Sequence, residues 1–220
     1  MARLTRSGHY RHDVPASSDP GFLVLHALRL KGFADTPVVA ALTRLDEAEA
    51  AKHLEAASVE GQATRRDGRI TGWALTADGR ARHAELIREE LDASGTRSSV
   101  EDGYRRFLEF NNELLSVCTD WQLRSGALND HTDASYDEAV IGRLQYVDDQ
   151  VQPVTRDLGA ALERFGEYGN RFTLALDKVK KGERDWFAKP MIDSYHTIWF
   201  ELHEDLLATL GIERSKEGSS

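Results

Sequence analysis

Apolar residues recur every three or four positions through most of the chain, the period of a helix with one buried side. The interruptions fall at residues that start or stop helices. Gly21 to Lys31 (GFLVLHALRLK) predicts a first helix, with Phe22, Leu23, Leu25, Leu28 and Leu30 for burial and Gly32 as its stop. Asp35 or Thr36 caps a second, PVVAALTRL, entered through Pro37, whose missing N–H costs nothing in a first turn. Asp46 caps a third, Glu47 to about Glu60, with Leu54, Ala50, Ala51 and Ala57 inward and Gly61 at its end. The period then changes. Ile70, Trp73 and Leu75 are strand-type residues, and Asp67-Gly68 predicts a type I′ turn, in which both central residues need φ > 0. Thr76 caps a further helix from Ala77 to Glu90.

Asp92 to Ser99, rich in Ser and Gly, reads as a linker. Beyond it the pattern is helical. Val100 to Leu123 places Tyr104, Phe107, Leu108, Asn111, Leu114, Leu115, Cys118 and Trp121 on one side. A loop from Arg124 to Thr132 leads to a helix from Ala134 or Ser135 to about Gln150. Pro153 starts or bends the next helical stretch, which carries Val154, Leu158, Leu162 and Phe165. The pattern resumes over Phe172 to Val179 and breaks at Lys180 to Glu183. A last helix runs from about Lys189-Pro190 to Leu210, with Gly211 as its stop. No further strand pattern is visible.

The expected division is a flexible arm (1–20), a first domain (21–92), a linker (93–99), an all-helical domain (100–212) and a disordered tail (213–220). Of the 220 residues 40% are hydrophobic and 30% charged, which excludes a disordered chain. No apolar run reaches the ~20 residues of a membrane span, and the first residues lack the apolar stretch of a secretory signal, so a cytoplasmic protein is expected. One cysteine, Cys118, excludes an intrachain disulfide; its place on an apolar stripe makes it a small buried hydrophobe.

Net charge is −9, which argues against a broadly basic nucleic-acid binder, but its distribution is uneven. Residues 1–95 carry −1 and residues 96–220 carry −8. Gly61 to Ala84 holds five Arg against two Asp, a local +3 centred on Arg65, Arg66 and Arg69.

Three helices, a ribbon with basic residues at its tip and a fourth helix resemble the winged helix-turn-helix domain of bacterial transcriptional regulators of the MarR type. The residues that carry the resemblance are the Leu-rich first helix, the Asp35/Pro37 and Asp46 starts and the run RRDGRITGWALTADGR. It covers about a third of the chain. It implies a mainly α protein: a winged helix with a two-stranded β wing, then a helical bundle that makes a homodimer and holds a small-molecule effector. It also implies duplex DNA as partner, touched by Arg65, Arg66 and Arg69 of the wing and by Lys52 and His53, with Glu49, of the third helix. Gly68 would permit the turn and Trp73 would brace the ribbon. Arg3, Arg6 and Arg11 of the arm are further phosphate candidates. The third helix departs from that pattern: Asp35 to Glu60 has two basic and six acidic residues. That acidity supports an alternative, a winged helix that docks a protein rather than DNA.

The last helix carries polar residues on apolar faces. Tyr195, Trp199, Leu202 and Leu206 form one stripe; Asp193, His196, Phe200, His203 and Leu207 form the next. Glu201, Glu204 and Asp205 read as its solvated face. His196 and His203 are seven residues apart, about 10 Å along a helix, too far for one zinc ion. A metal site completed by His131 or Asp133 is therefore weaker than a small-molecule pocket. Trp121, Gln122, His131, Tyr136, Asp193, Tyr195, His196, Trp199 and His203, with Asn111 and Asn112 beside them, mix rings with hydrogen-bonding groups as effector pockets do. No Gly-rich phosphate loop, G-x-S-x-G, H-E-x-x-H or C-x-x-C occurs, so neither an enzyme nor a cofactor is expected. A helical ligand carrier or enzyme, with the ribbon as scaffold, is the remaining alternative.

Overall fold

The computed structural model describes residues 18–214; Arg3, Arg6 and Arg11 of the arm and residues 215–220 of the tail lie outside them. The described chain is mainly helical with a small two-stranded antiparallel sheet. Helix α1 is Pro20–Lys31, α2 Thr36–Thr43 and α3 Glu47–Val59. Asp19, Asp35 and Asp46 cap them, accepting from the N–H of Phe22, Val38 and Glu49 at 3.1, 3.0 and 2.7 Å. Gly32 ends α1 at φ 70°, a conformation that costs other residues a Cβ clash.

Strands β1 (Ala63–Arg66) and β2 (Gly72–Leu75) pair antiparallel, Ala63 opposite Leu75 and Arg66 opposite Gly72. The connection differs from the expected two-residue turn. Asp67 to Thr71 forms a five-residue loop, Gly68 does not take positive φ, and Ile70 sits in that loop 70% exposed rather than in a strand. The cause lies outside the hairpin. Ala34 pairs with Trp73 in both directions, N–H to O at 3.1 Å and O from N–H at 2.7 Å, so β2 is fixed from its other edge. Trp73 is buried and donates its ring N–H to Thr36 Oγ1, bracing the hairpin against α2.

Thr76 caps α4 (Ala77–Ser94) through the N–H of Gly79. A Cβ on Gly79 would sit 1.8 Å from the Gln62 carbonyl oxygen, so only glycine lets α4 pass this close to the hairpin. Helix α4 outruns its expected end because Leu91 is buried among residues of the second half. The expected linker shrinks to Gly95 and Thr96, the former at φ 66°, before α5 (Arg97–Gln122) begins.

The loop after α5 contains a short antiparallel ladder, β3 (Leu123–Arg124) with β4 (Ala127–Leu128), which the apolar pattern does not reveal. Helix α6 is one element, Ala134–Ala161, and runs through Pro153. Pro153 removes one backbone donor, but Val147, Val151, Val154 and Leu158 continue a single buried stripe across it. A 3₁₀ turn (Glu163–Phe165), α7 (Tyr168–Lys180) and α8 (Asp185–Ala188) follow. The last helix, α9, is Tyr195–Leu210, shorter at its start than expected: Ser194 caps it and 189–194 is non-helical, with Met191 at φ 69°.

Two hydrophobic clusters result. Val24, Leu25, Leu28, Val39, Leu54, Trp73 and Leu75 form the first, among α1–α3 and the hairpin. Phe107, Leu144, Phe172, Tyr195 and Trp199 anchor the larger second one, among α5–α9. Helices α1 and α4 both pack on α9, so the two clusters meet there.

Candidate nucleic-acid interface and the cleft behind it

Arg65, Arg66 and Arg69 are exposed at the distal end of the hairpin. Arg65 Nε reaches Asp67 Oδ1 at 3.0 Å, its Nη1 lies 3.9 Å from Glu55 Oε1, and its guanidinium sits 5.6 Å from the Trp73 ring centre. Among ion pairs between described residues, none engages Arg66 or Arg69. On α3 and its C-terminal cap the exposed residues include Glu47, Glu49, Lys52, Glu55 and Glu60, four carboxylates and one ammonium. Val59 stands among them 89% exposed. His53 is half-buried, its Nδ1 3.7 Å from where a Cβ on Gly21 would sit, so it leans toward the start of α1 rather than outward beside Lys52.

The nine residues expected to share an effector pocket are dispersed. Trp121 is buried, stacked on Phe187 at 4.3 Å with the His131 ring 4.5 Å away. His131 gives its Nδ1 proton to Asp137 at 2.9 Å, and Asn129 binds the same carboxylate. Gln122 is exposed. Tyr136 donates to the Asp120 carbonyl and carries Arg124 over its ring, while Asp133 caps α6 and pairs with Arg124. Tyr195 is fully buried and donates to Asp148, whose carboxyl is raised above the usual range by burial. Trp199 donates to Asn111 Oδ1, a bond between helices. Only His196, Trp199 and His203 share a hollow, about 240 Å³, with Asn111 and Phe200. Burial lowers the His196 pKa. Among the described residues no group of three or more His, Cys, Asp or Glu is arranged to hold a metal. Cys118 is buried, which pushes its thiol up to about 12.

The polar chemistry sits elsewhere, where α1 and α4 meet α9 and the 3₁₀ turn. Glu201 and Asp205, read from the sequence as solvated, are 2% and 1% exposed. Arg164 is buried and binds Glu90 at 2.7 Å, Thr209 at 2.5 Å and Asp205. Asp205 also accepts from Tyr168 at 3.1 Å and from His26 Nε2 at 3.1 Å. His26 Nδ1 and His83 Nε2 share a hydrogen bond at 3.0 Å, and the two rings stack at 5.3 Å. Burial first, then the neighbouring His26, lowers His83 to about 3, so it is neutral. Burial opposes ionisation of Asp205, but Arg164 and His26 outweigh it and hold that carboxyl well below the usual range.

Next to this network Lys31 Nζ reaches Glu201 at 2.5 Å and Asp193 at 3.3 Å, and Arg171 binds Glu201 at 2.6 Å and Asp193 at 3.2 Å. Both sets border a cleft of about 710 Å³ between α1–α2 and α7. Leu23, Leu30, Val38 and Leu42 supply its apolar side; Lys31, Arg44, Glu167 and Arg171 are among its polar residues. Of the expected ligand residues only Asp193 lines it. The signal in the sequence was charge inside apolar runs: His26 within FLVLHALRL and Asp205 within ELHEDLLATL. What could not be read was which distant cation each carboxylate meets.

No family model, no curated protein and no solved structure matches this chain.

Proposed function

We propose that the chain is a DNA-binding transcriptional regulator of the winged-helix, MarR-like type, dimeric through its helical second half and controlled by a small-molecule effector. The observation that carries this reading is the hairpin. Its three arginines are exposed on a ribbon braced by Trp73. Such a finger reaches a phosphate backbone at little ordering cost, and phosphate contacts dominate affinity for a duplex. The order α1, α2, α3, β1, β2, α4 with aspartate-capped α2 and α3 supports the same reading. The cytoplasm is the compartment that follows from it.

A second reading has its own support. The exposed side of α3 is acidic and carries Val59, so a groove-entering role for α3 meets repulsion. That surface suits a basic protein partner with an apolar contact. Fluorescence anisotropy on duplex DNA from upstream of the protein's own gene separates the readings. A regulator binds with an affinity that falls steeply with salt; a protein-docking module shows no salt-sensitive binding to any duplex.

A further inference from the structure

Asp193 stands apart from the other carboxylates of the junction. Glu201 is buried and holds Lys31 and Arg171 at 2.5 and 2.6 Å. Asp193 approaches the same two cations at 3.3 and 3.2 Å, and its side chain is 43% exposed. It lies outside any helix, in the 189–194 segment, two residues after Met191 at φ 69°. Its tie to the junction is therefore the loosest of the four. The two cations come from opposite sides: Lys31 ends α1 and Arg171 lies on α7. With Asp193 in place the four side chains are neutral; with Asp193 withdrawn, Lys31 and Arg171 exceed Glu201 by one positive charge beside the 710 Å³ cleft.

We propose that the cleft binds an amphipathic organic acid whose carboxylate takes the place of Asp193 between Lys31 and Arg171 while its apolar tail lies along Leu23, Leu30, Val38 and Leu42. Asp193 is a built-in stand-in for that carboxylate. The volume is within the range of ligand pockets, and the chemistry is that of such pockets, an apolar wall with a few placed charges. A neutral or cationic amphiphile fits less well: the former leaves the excess positive charge unmet, and the latter meets Lys31 and Arg171 directly. Because the two cations belong to opposite sides of the junction, occupancy exchanges a contact within the chain for one to the ligand. Coupling of that exchange to DNA rests on the regulator reading above; the binding itself does not.

The test is calorimetric titration of the full chain at pH 7.5, without DNA, using decanoate below its micellar concentration and decanol as the uncharged control. Wild type binds decanoate saturably and decanol weakly. Asp193→Asn binds decanoate about tenfold tighter, the order expected for removing one competing charge from a partly buried site. Arg171→Gln binds it about tenfold more weakly. Since Arg171→Gln leaves Glu201 short of one partner and can unfold, Val38→Glu, at a half-exposed wall position, gives a second loss-of-binding variant. Absence of decanoate binding in wild type and Asp193→Asn, equal affinity for decanol, or an unchanged affinity in Asp193→Asn each overturns the proposal. A chain that binds decanoate but no duplex overturns the regulator reading and leaves this one standing.

Discussion

The hairpin and the junction use the same side chain in opposite ways. Arg65, Arg66 and Arg69 are exposed, and Arg65 pairs at the surface with Asp67 at 3.0 Å and more distantly with Glu55. The Arg164 side chain is 2% exposed and is saturated by Glu90, Asp205 and Thr209. Surface pairs of the first kind contribute about 0–1 kcal/mol. A buried pair contributes little net either, because desolvation offsets attraction, but breaking it is costly since a charge is left behind. An arginine's consequence for stability is thus set by burial of its partners, and its availability to a polyanion by their absence.

The largest expected effect breaks the junction. Arg164→Met leaves Glu90 without its cation and Asp205 with only His26 and Tyr168 as side-chain partners beside Thr209, and lowers unfolding stability by about 3–5 kcal/mol in urea titration. A loss below about 1 kcal/mol would mean that those carboxylates are not buried as described.

The second uses pH. His83 is held at about 3 in the fold against an ordinary value near 6.5, so the unfolded chain takes up its proton first. Stability from this group is full above the unfolded value and is lost as pH falls toward 3. Asp205, held below the ordinary carboxylate range, also contributes stability at neutral pH, and that contribution is lost only at lower pH than the His83 one, with the same sign. Acidification from pH 8 to pH 5 removes about 2 kcal/mol through His83 alone. His83→Gln, which keeps a hydrogen-bonding partner for His26, removes this dependence in melts at the two pH values. If the variant keeps the full dependence, another group is responsible.

The third concerns close approach. Gly79→Ala forces α4 off the Gln62 carbonyl and costs about 1–3 kcal/mol by denaturant titration. The smallest effect belongs to the hairpin: Arg66→Ala or Arg69→Ala changes stability by less than about 0.5 kcal/mol. A larger loss would place those side chains in the fold rather than on its surface.

The two regions also differ in how far the sequence discloses them. Helix starts at Asp35, Asp46 and Thr76 were legible because a cap is one short-range bond between a side chain and a backbone N–H three residues on. The loop between β1 and β2 was not, because its length depends on Ala34 gripping Trp73 from another part of the chain. Pro153 suggested a boundary, yet α6 continues because burial of Val151 and Val154 outweighs one missing bond. The candidate site divides likewise. Arginines at a ribbon tip are visible as a local charge excess. Periodicity marked Glu201 and Asp205 as a polar stripe, but their exposure depends on Lys31, Arg164 and Arg171, whose contacts with them no local pattern encodes.

The division of labour between hairpin arginines that grip a polyanion and junction arginines that hold the protein together rests on the proposed DNA binding. Its most direct test is the salt dependence of duplex binding for wild type and for Arg65→Ala/Arg66→Ala/Arg69→Ala, with both melts recorded. The expected result is an unchanged melt and a slope of log affinity against log salt shallower by about one unit per lost phosphate contact. An unchanged slope, or a wild-type chain that binds no duplex at low salt, would contradict it.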